Sequence, residues 1–255
     1  MRTTILFLFL GLSVFGAEPI DLGKHGTQRE LFADGHLIHK LTGDTKQHLH
    51  QPKPKEVILT TNEPWEGNTC AYYAIFRDGS LFRMYYRGSH YDTQTKKATH
   101  PEVTCYAESK DGIHWTKPKL GIFTFDGSAD NNIIWDLHGA SVFIDREEPD
   151  AQKRYKAIGF CRRYRNIFLI TSPDGIHWDD KDYIEPVSHR ANEGTFNVVY
   201  DDKQDLYRAY SLTRLSDRDH RRIICYSESR TLAGPWKDAE PIFEPTHWDD
   251  EIGRR

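Results

Sequence analysis

The chain consists largely of short runs in which β-branched and aromatic residues alternate with polar residues or follow one another directly. Each run is bounded by Asp, Gly, Pro or Asn, the residues that form turns, and this arrangement is typical of β-strands joined by hairpins. Clear examples are CAYYAIF (70–76), LFRMYYRG (81–88), NIFLITS (166–172), TFNVVYD (195–201) and RIICYSES (222–229). The pattern therefore predicts an all-β fold.

One motif occurs three times, as CYAESKDGIHW (105–115), ITSPDGIHW (170–178) and CYSESRTLAGPW (225–236). The tryptophans that end the motifs are roughly sixty residues apart, and each repeat holds hairpin-linked strands and a turn leading to a further strand. A repeat of this kind indicates radial repetition of a sheet. The chain is thus expected to form a β-propeller of four-stranded antiparallel blades.

The number of repeats bears on the domain boundaries. Three units occupy the chain from near Glu63 to Ile242, whereas closed propellers contain roughly four to eight blades. We therefore expect residues 18–255 to hold about three blades of a propeller. Either the propeller is incomplete and truncated at its C-terminal side, or an N-terminal strand and a partner complete it.

The DGIHW turn at 111–115 and 174–178 has a structural interpretation. Its Asp is expected to accept hydrogen bonds from the turn backbone, and its Gly to adopt a positive φ. Trp115 and Trp178 are expected to fold back as largely buried plugs between blades.

The first seventeen residues predict export. Arg2 precedes an apolar run from Ile5 to Phe15, and small residues follow at Gly16 and Ala17. This order is typical of a secretory signal peptide, and the run is shorter than the ~20 residues that cross a bilayer. The mature protein is expected to be secreted or periplasmic, without membrane insertion after cleavage.

Composition narrows the possible partners. The net charge is only −4 and charged residues make up 28% of the chain, so no nucleic-acid footprint is expected. Aromatic residues make up 13%, which favours strands and suits a carbohydrate partner. The cysteines, at 70, 105, 161 and 225, lack metal-ligand spacing and are expected to be buried thiols rather than disulfides. Neither a metal nor a cofactor is predicted.

Several segments together resemble a known group of proteins. They are LFADGHLIHKLTG (31–43), EPWEG (63–67), YAESKDGIHWTKPKLG (106–121), FDGSADNNII (125–134), RYKAIG (154–159) and SPDGIHW (172–178). The chain resembles exported bacterial proteins related to glycoside hydrolase families 32 and 43. That resemblance implies a five-bladed β-propeller that cleaves glycosidic bonds with three carboxylates around a central funnel. The signature boxes typical of family 32 are absent.

The resemblance also implies where the carboxylates lie, namely at the start of the innermost strand of successive blades. Those positions correspond here to Glu66, Asp136 and Glu193, and the Glu-Gly pairs at 66–67 and 193–194 both precede a strand. Hydrolysis requires one carboxyl as acid and another as base or nucleophile, so these three form the predicted catalytic set.

Other residues extend or compete with this set. The residues Trp65, His138 and Asn192 flank the carboxylates and are candidates for substrate binding. The competing acids are Asp145, at the far end of its strand, and Asp126 and Asp130 in the FDGSADNN loop.

Two functions follow from these observations. The first is an exported glycoside hydrolase that acts on a polysaccharide or oligosaccharide, and the second is a propeller that binds glycans or another surface partner without cleaving them. The missing signature boxes favour the second, whereas the repeated Glu-Gly pairs favour the first.

Overall fold

The computed structural model describes residues 38–136, 140–161, 166–178, 193–214 and 222–252. The chain divides into two units, Met1–Lys55 and Glu56–Arg255. The described part of the first unit, 38–55, contains no strand or helix and is largely exposed. The predicted signal peptide lies outside the described residues. None of the helices among the described residues has the length and apolar character needed to cross a membrane.

The first sheet of the second unit is antiparallel and built around a long hairpin. Its strands are β1 (Ala71–Asp78), β2 (Leu81–Gly88), β5 (Val103–Ser109), β6 (Trp115–Thr116) and β7 (Ile133–Trp135). The order is β1-β2-β5-β6, and β7 also pairs with β5. A separate two-stranded ribbon, β3 (Tyr91–Asp92) and β4 (Lys97–Ala98), extends from the connection between β2 and β5.

Two further antiparallel sheets follow along the chain. The second contains β8 (Ser141–Ile144), a short 3₁₀ turn (Ala151–Lys153), β9 (Tyr155–Cys161) and β10 (Asn166–Ser172), in the order β10-β9-β8. The third contains β11 (Glu193–Asp201), β12 (Leu206–Arg214), β13 (Arg222–Ser229) and β14 (Glu240–Phe243) in sequential order, followed by helix α1 (His247–Ile252). The predicted all-β, antiparallel architecture is confirmed, while the number of blades stays a prediction.

The sheets pack against one another in succession through apolar faces. Tyr85 and Tyr106 of the first sheet share a buried cluster with Ala157 and Phe168 of the second. A second cluster joins the second and third sheets, with the members Ile158, Ile167, Leu169, Phe196, Val198, Tyr207, Ala209 and Leu232. Each sheet therefore buries apolar area against the next, which is the main source of stability for such layers.

The repeated turn has the predicted backbone geometry. Asp111 Oδ1 accepts hydrogen bonds from the amides of Ile113 and His114, both at 2.8 Å, and Gly112 has a φ of 78°. The indole of Trp115 donates to the Gly112 carbonyl at 3.0 Å. The second copy, at 174–178, repeats all of these contacts, with a φ of 77° at its glycine.

The turn tryptophans lie mostly in the interior, in line with the prediction. Trp115 and Trp178 keep only a minor part of their surface accessible, and the indole of each donates to the carbonyl of its turn glycine. Trp178 packs edge-on against Trp135 at 4.9 Å, at the junction of the first and second sheets. The predicted free thiols are found at Cys70, Cys105 and Cys225, of which Cys105 and Cys225 are buried.

Candidate functional site

The first strands of the three sheets meet around one cavity. Strands β1, β8 and β11 provide its walls through 72–76, 140–143 and 196–198, and the cavity volume is about 280 Å³. The lining is mostly apolar and aromatic, with polar groups at Ser141 and Asn197. A cavity of this composition, reached from several neighbouring strands, is a typical place for a small-molecule site.

Two of these strands begin with an irregularity. In β1 the pairing with β2 shifts between Ala71 and Ala74, and Tyr72 within this bulge has a φ of 58°. In β11 the pairing with β12 shifts between Glu193 and Phe196. A bulky residue with positive φ is strained, and such bulges redirect side chains beside functional sites. The irregular backbone geometry of the cavity wall is therefore found at the starts of β1 and β11.

The side chain of Tyr72 is held by Arg87 of the neighbouring strand. The guanidinium carbon lies 4.6 Å from the centre of the Tyr72 ring, and Arg87 Nη2 donates to the Thr69 carbonyl at 2.8 Å. Tyr73 stacks on Tyr86 with ring centres 5.6 Å apart and is 49% exposed. The start of β1 thus presents an anchored aromatic surface, which the sequence analysis did not identify as part of the site.

The pairing of the strands shows that Glu193 and Glu66 do not occupy equivalent positions. The β1–β2 hairpin closes on the pair Asp78 and Leu81, and the β11–β12 hairpin closes on the pair Asp201 and Leu206. Six residues after these leucines lie Arg87 in β2 and Leu212 in β12. Ala71 faces Arg87, and Glu193 faces Leu212. Glu193 therefore corresponds to Ala71, and the expectation that the two Glu-Gly pairs occupy equivalent points is wrong.

Glu66 lies in a closed environment before β1. Its side chain is fully buried and accepts hydrogen bonds from the Tyr86 hydroxyl at 2.5 Å, from Lys117 Nζ at 2.7 Å and from the Glu63 amide at 2.9 Å. Burial, together with the contact to Glu66, raises the pKa of Tyr86 far above its usual value, so the phenol remains a donor. The Glu66 carboxylate holds the segment before β1 in place and does not face an open funnel.

The glycine after Glu66 has a steric role. Gly67 has a φ of 68°, and a Cβ atom there would lie 2.4 Å from the Cβ of His90 and 2.6 Å from the Ser89 carbonyl oxygen. Only glycine fits both constraints without a shift of the backbone. The Glu66-Gly67 pair is therefore explained by packing.

Trp65 also belongs to the packed wall of the first sheet. It is half-buried, its indole donates to Asn132 Oδ1 at 2.7 Å, and it meets Phe125 edge-on at 6.0 Å. Of the other two candidates for substrate binding, His138 and Asn192 lie outside the described residues. The structure thus ties Trp65 into the first sheet through Asn132 and Phe125.

The remaining acids occupy different places. Asp136 is exposed and directly follows β7, four residues before Ala140 in the cavity wall. Glu193 is the first residue of β11, three residues before Phe196 in the same wall. Asp145 is buried at the far end of β8, where it accepts a hydrogen bond from Tyr207 at 3.0 Å.

The two acids of the FDGSADNN loop serve local structure. Asp126 has a φ of 46° at the tip of its turn, and Asp130 forms an exposed ion pair with Lys119 at 2.7 Å. Among the described residues no group of three or more His, Cys, Asp or Glu side chains is arranged to hold a metal ion. Of the predicted acids, Asp136 and Glu193 are thus the two that most closely precede a cavity-lining stretch in the chain.

Comparison with known proteins gives relatives without an assigned activity. No family model matches the chain. Over 166 residues, 61% of the chain, it is 27% identical to two uncharacterized proteins of Mycobacterium tuberculosis, one from each of two strains. The match covers 49% of those proteins, so the chain spans about half the length of the curated relatives it matches.

Among solved structures, the chain is similar to the α-L-arabinanase of Cellvibrio cellulosa, with a TM-score of 0.49 and 12% identity over 74% of this chain and 67% of that one. An exo-1,5-α-L-arabinanase from a bovine ruminal metagenomic library gives a TM-score of 0.49 and 11% identity, over 75% of this chain and 67% of that one. A family 43 endo-arabinanase of Bacillus licheniformis gives 0.46 and 16%, over 68% and 59%. The protein is thus an all-β chain of antiparallel sheets whose neighbours in backbone shape include glycoside hydrolases of family 43.

Proposed function

We propose that this chain is part of an exported glycoside hydrolase that cleaves a polysaccharide or oligosaccharide by carboxylate acid/base catalysis. The observation that carries the proposal is the meeting of β1, β8 and β11 around one cavity, with Asp136 and Glu193 a few residues from its wall. Glycoside hydrolysis needs two such carboxyls. In this proposal the chain supplies about three blades, and further sheets complete the propeller.

The proposed roles follow from the position of each residue. Glu193 and Asp136 act as the acid and base pair, and His138 and Asn192 contact the sugar. Glu66 supports the start of β1 from behind, because its carboxylate is enclosed by Tyr86 and Lys117. Tyr73, half exposed on the cavity wall, offers an aromatic face to a sugar ring.

The test is reducing-sugar release from a panel of plant and algal polysaccharides, using the full-length protein. Glu193→Gln should abolish release and leave glycan retention measurable, since the amide keeps the shape of the side chain and removes the ionisable proton. Asp136→Asn should have the same effect, whereas Asp130→Asn, in an exposed ion pair, should leave turnover unchanged. Unchanged turnover in Glu193→Gln would exclude this residue from the chemistry.

The alternative is a propeller that binds glycans or another surface partner without cleaving them. It is favoured by the enclosure of Glu66, which removes one of three expected carboxylates from the cavity. Retention of a glycan by the full-length protein, with no release of reducing sugar at any pH between about 4 and 8, would establish this alternative.

A further inference from the structure

A second cavity lies at the other end of β1. It is formed where β1 turns into β2 and where β8 leads into β9, and its volume is about 520 Å³. Because β1 has eight residues, seven rises of about 3.3 Å place its first and last Cα atoms about 23 Å apart. The two cavities share no lining residue, although the lining of the first ends at Phe76 and Phe143, next to Arg77 and Ile144 of the second.

Three arginines line this cavity, and one of them, Arg154, has a carboxylate partner among the described residues. Arg154 is 43% exposed, stacks over the Tyr155 ring at 5.0 Å, and donates from Nη2 to Asp78 Oδ1 at 3.4 Å. Arg77 is exposed and its Nε donates to a backbone carbonyl at 2.9 Å. Arg146 is exposed on the connection between β8 and β9. Most of their N–H donors are thus available to a ligand.

The carboxylates of the cavity are bound from behind. Asp78 accepts from Arg83 at 2.9 Å, Glu148 accepts from Lys156 at 2.6 Å, and Asp145 accepts from Tyr207 at 3.0 Å. The side chains of Arg83 and Lys156 are only 13% and 5% exposed. These carboxylates are therefore largely neutralised from the protein interior, and of the arginines in front of them only Arg154 contacts one, Asp78.

The local charge is slightly positive. Arg77, Arg146 and Arg154 in front, with Arg83 and Lys156 behind, make five cations against the four carboxylates of Asp78, Asp145, Glu147 and Glu148, which leaves one positive charge. Of the other neighbouring charges, Asp150 caps the 3₁₀ turn and Lys153 stands in its last turn, so these two offset each other.

We propose that this cavity, the basic cleft, binds a ligand that carries a carboxylate or sulfate group. Guanidinium groups match the geometry of such oxyanions and bind them with charge-assisted hydrogen bonds. Ile144, Pro149 and Ala151 give the cleft an apolar wall beside the arginines, and its volume suits a ligand of monosaccharide size. The inference is independent of the proposed hydrolase activity, because it rests on a different end of the sheets.

The test is calorimetric titration of the protein with glucuronate, glucose 6-sulfate and glucose at low ionic strength. One or both charged probes should bind saturably, and glucose should not bind. The two charged probes distinguish a carboxylate ligand from a sulfate ligand. Binding should weaken when sodium chloride is raised to about 0.5 M, because salt screens the attraction.

Variants decide whether the arginines of the cleft are responsible. Arg146→Gln and Arg154→Gln should each weaken binding about tenfold or more, which corresponds to about 1.4 kcal/mol. Arg230→Gln, at an exposed arginine near Asp205, should leave it unchanged. Glu193→Gln should also leave it unchanged, so failure of the hydrolase proposal would not affect this result.

The inference would be overturned by the absence of binding of both charged probes up to about 10 mM, an affinity at the weak end of specific recognition. Equal binding of glucose would overturn it as well, as would unaltered binding in Arg146→Gln. Because Arg146 is exposed, that variant should fold like the parent, which its thermal unfolding curve checks.

Discussion

Glu66 is a buried carboxylate whose charge is balanced by a lysine 51 residues further along the chain. Its side chain is fully buried, and that of Lys117 is only 17% exposed. Removing one member of such a pair leaves an uncompensated charge in the interior, which is much more costly than the pair itself is favourable.

We expect Lys117→Met to lower the free energy of unfolding by about 3 kcal/mol, near the lower end of the range for broken buried pairs. The matched control is Lys119→Met, whose ion pair with Asp130 is 71% and 70% exposed and should not contribute measurably. Urea unfolding followed by tryptophan fluorescence measures both. Equal stability of the two variants would contradict the structural role of Glu66.

The turn aspartates predict a dependence of stability on pH. Burial acts to raise the pKa of Asp174, but hydrogen bonds from His177 and from the amide of Ile176 outweigh it and lower the pKa to about 2. The unfolded value is about 3.9. A lowered folded pKa contributes stability above about pH 4, and this contribution is lost as the pH falls toward 2.

The melting temperature of Asp174→Asn should therefore lie below that of the parent at pH 6, and the difference should shrink between about pH 4 and pH 2. Asp111→Asn should behave in the same way, because the hydrogen bond from His114 lowers the pKa of Asp111 in the equivalent turn. Thermal unfolding at several pH values checks both. A difference that stays constant over this range would contradict the assignment.

At the scale of elements, the capped tryptophan is common to all three sheets even where the sequence changes. The third repeat lacks the Asp-Gly turn, yet the indole of its Trp236 donates to the Leu232 carbonyl at 3.0 Å. The indoles of Trp115 and Trp178 donate in the same way to the carbonyls of their turn glycines. The tryptophan, more than the turn sequence, defines the repeat. The Trp236 ring contacts Phe196 of β11 edge-on, with ring centres 5.6 Å apart.

Trp178→Ala should lower the free energy of unfolding by about 3 kcal/mol, the lower end of the range for large aromatic deletions, because the ring is partly buried between two sheets. The control is Trp248→Ala, whose ring is 62% exposed on the short helix and should have little effect. Guanidinium unfolding curves give both values. A loss as small as that of Trp248→Ala would contradict a role for Trp178 in joining the sheets.

The strands were predictable because hydrophobic patterning and turn residues are local signals. The long strands from β1 to β13 and the DGIHW turn geometry follow from them. The bulges at Tyr72 and Glu193 leave no comparable signal, since a shift in register depends on the partner strand. The enclosure of Glu66 depends on Lys117, which is distant in the sequence. From the sequence alone, a buried acid that precedes a strand therefore could not be distinguished from an acid that faces a funnel.

At the scale of the whole molecule, the same kind of side-chain hydrogen bond links successive sheets. Asp78, which ends the first strand of sheet one, accepts a hydrogen bond from the hydroxyl of Tyr155 in sheet two. Asp145 of sheet two accepts in the same way from Tyr207 of sheet three. The same pair of residue types therefore joins neighbouring sheets twice.

Tyr207→Phe should lower the free energy of unfolding by about 1–3 kcal/mol, because it leaves a buried carboxylate oxygen without its hydroxyl donor. Tyr200→Phe is the control, since its hydroxyl bonds Asp205 at the surface of the same hairpin. Differential scanning calorimetry of the two variants measures the effect. Equal melting temperatures would indicate that the contact between sheets two and three does not depend on this hydroxyl.

The third sheet also governs how the protein behaves in a concentrated sample. Tyr210 in β12 occupies the position that Tyr85 occupies in β2. Tyr85 is fully buried, whereas Tyr210 is 37% exposed. Val199 nearby is 52% exposed, and Phe243 on β14 is 66% exposed. Exposed apolar sheet faces and edge strands are where copies of a protein stick together. Where no further sheet of the proposed propeller covers it, this face sets the solubility limit during purification and crystallisation, and a lysine at position 199 is the simplest way to raise that limit.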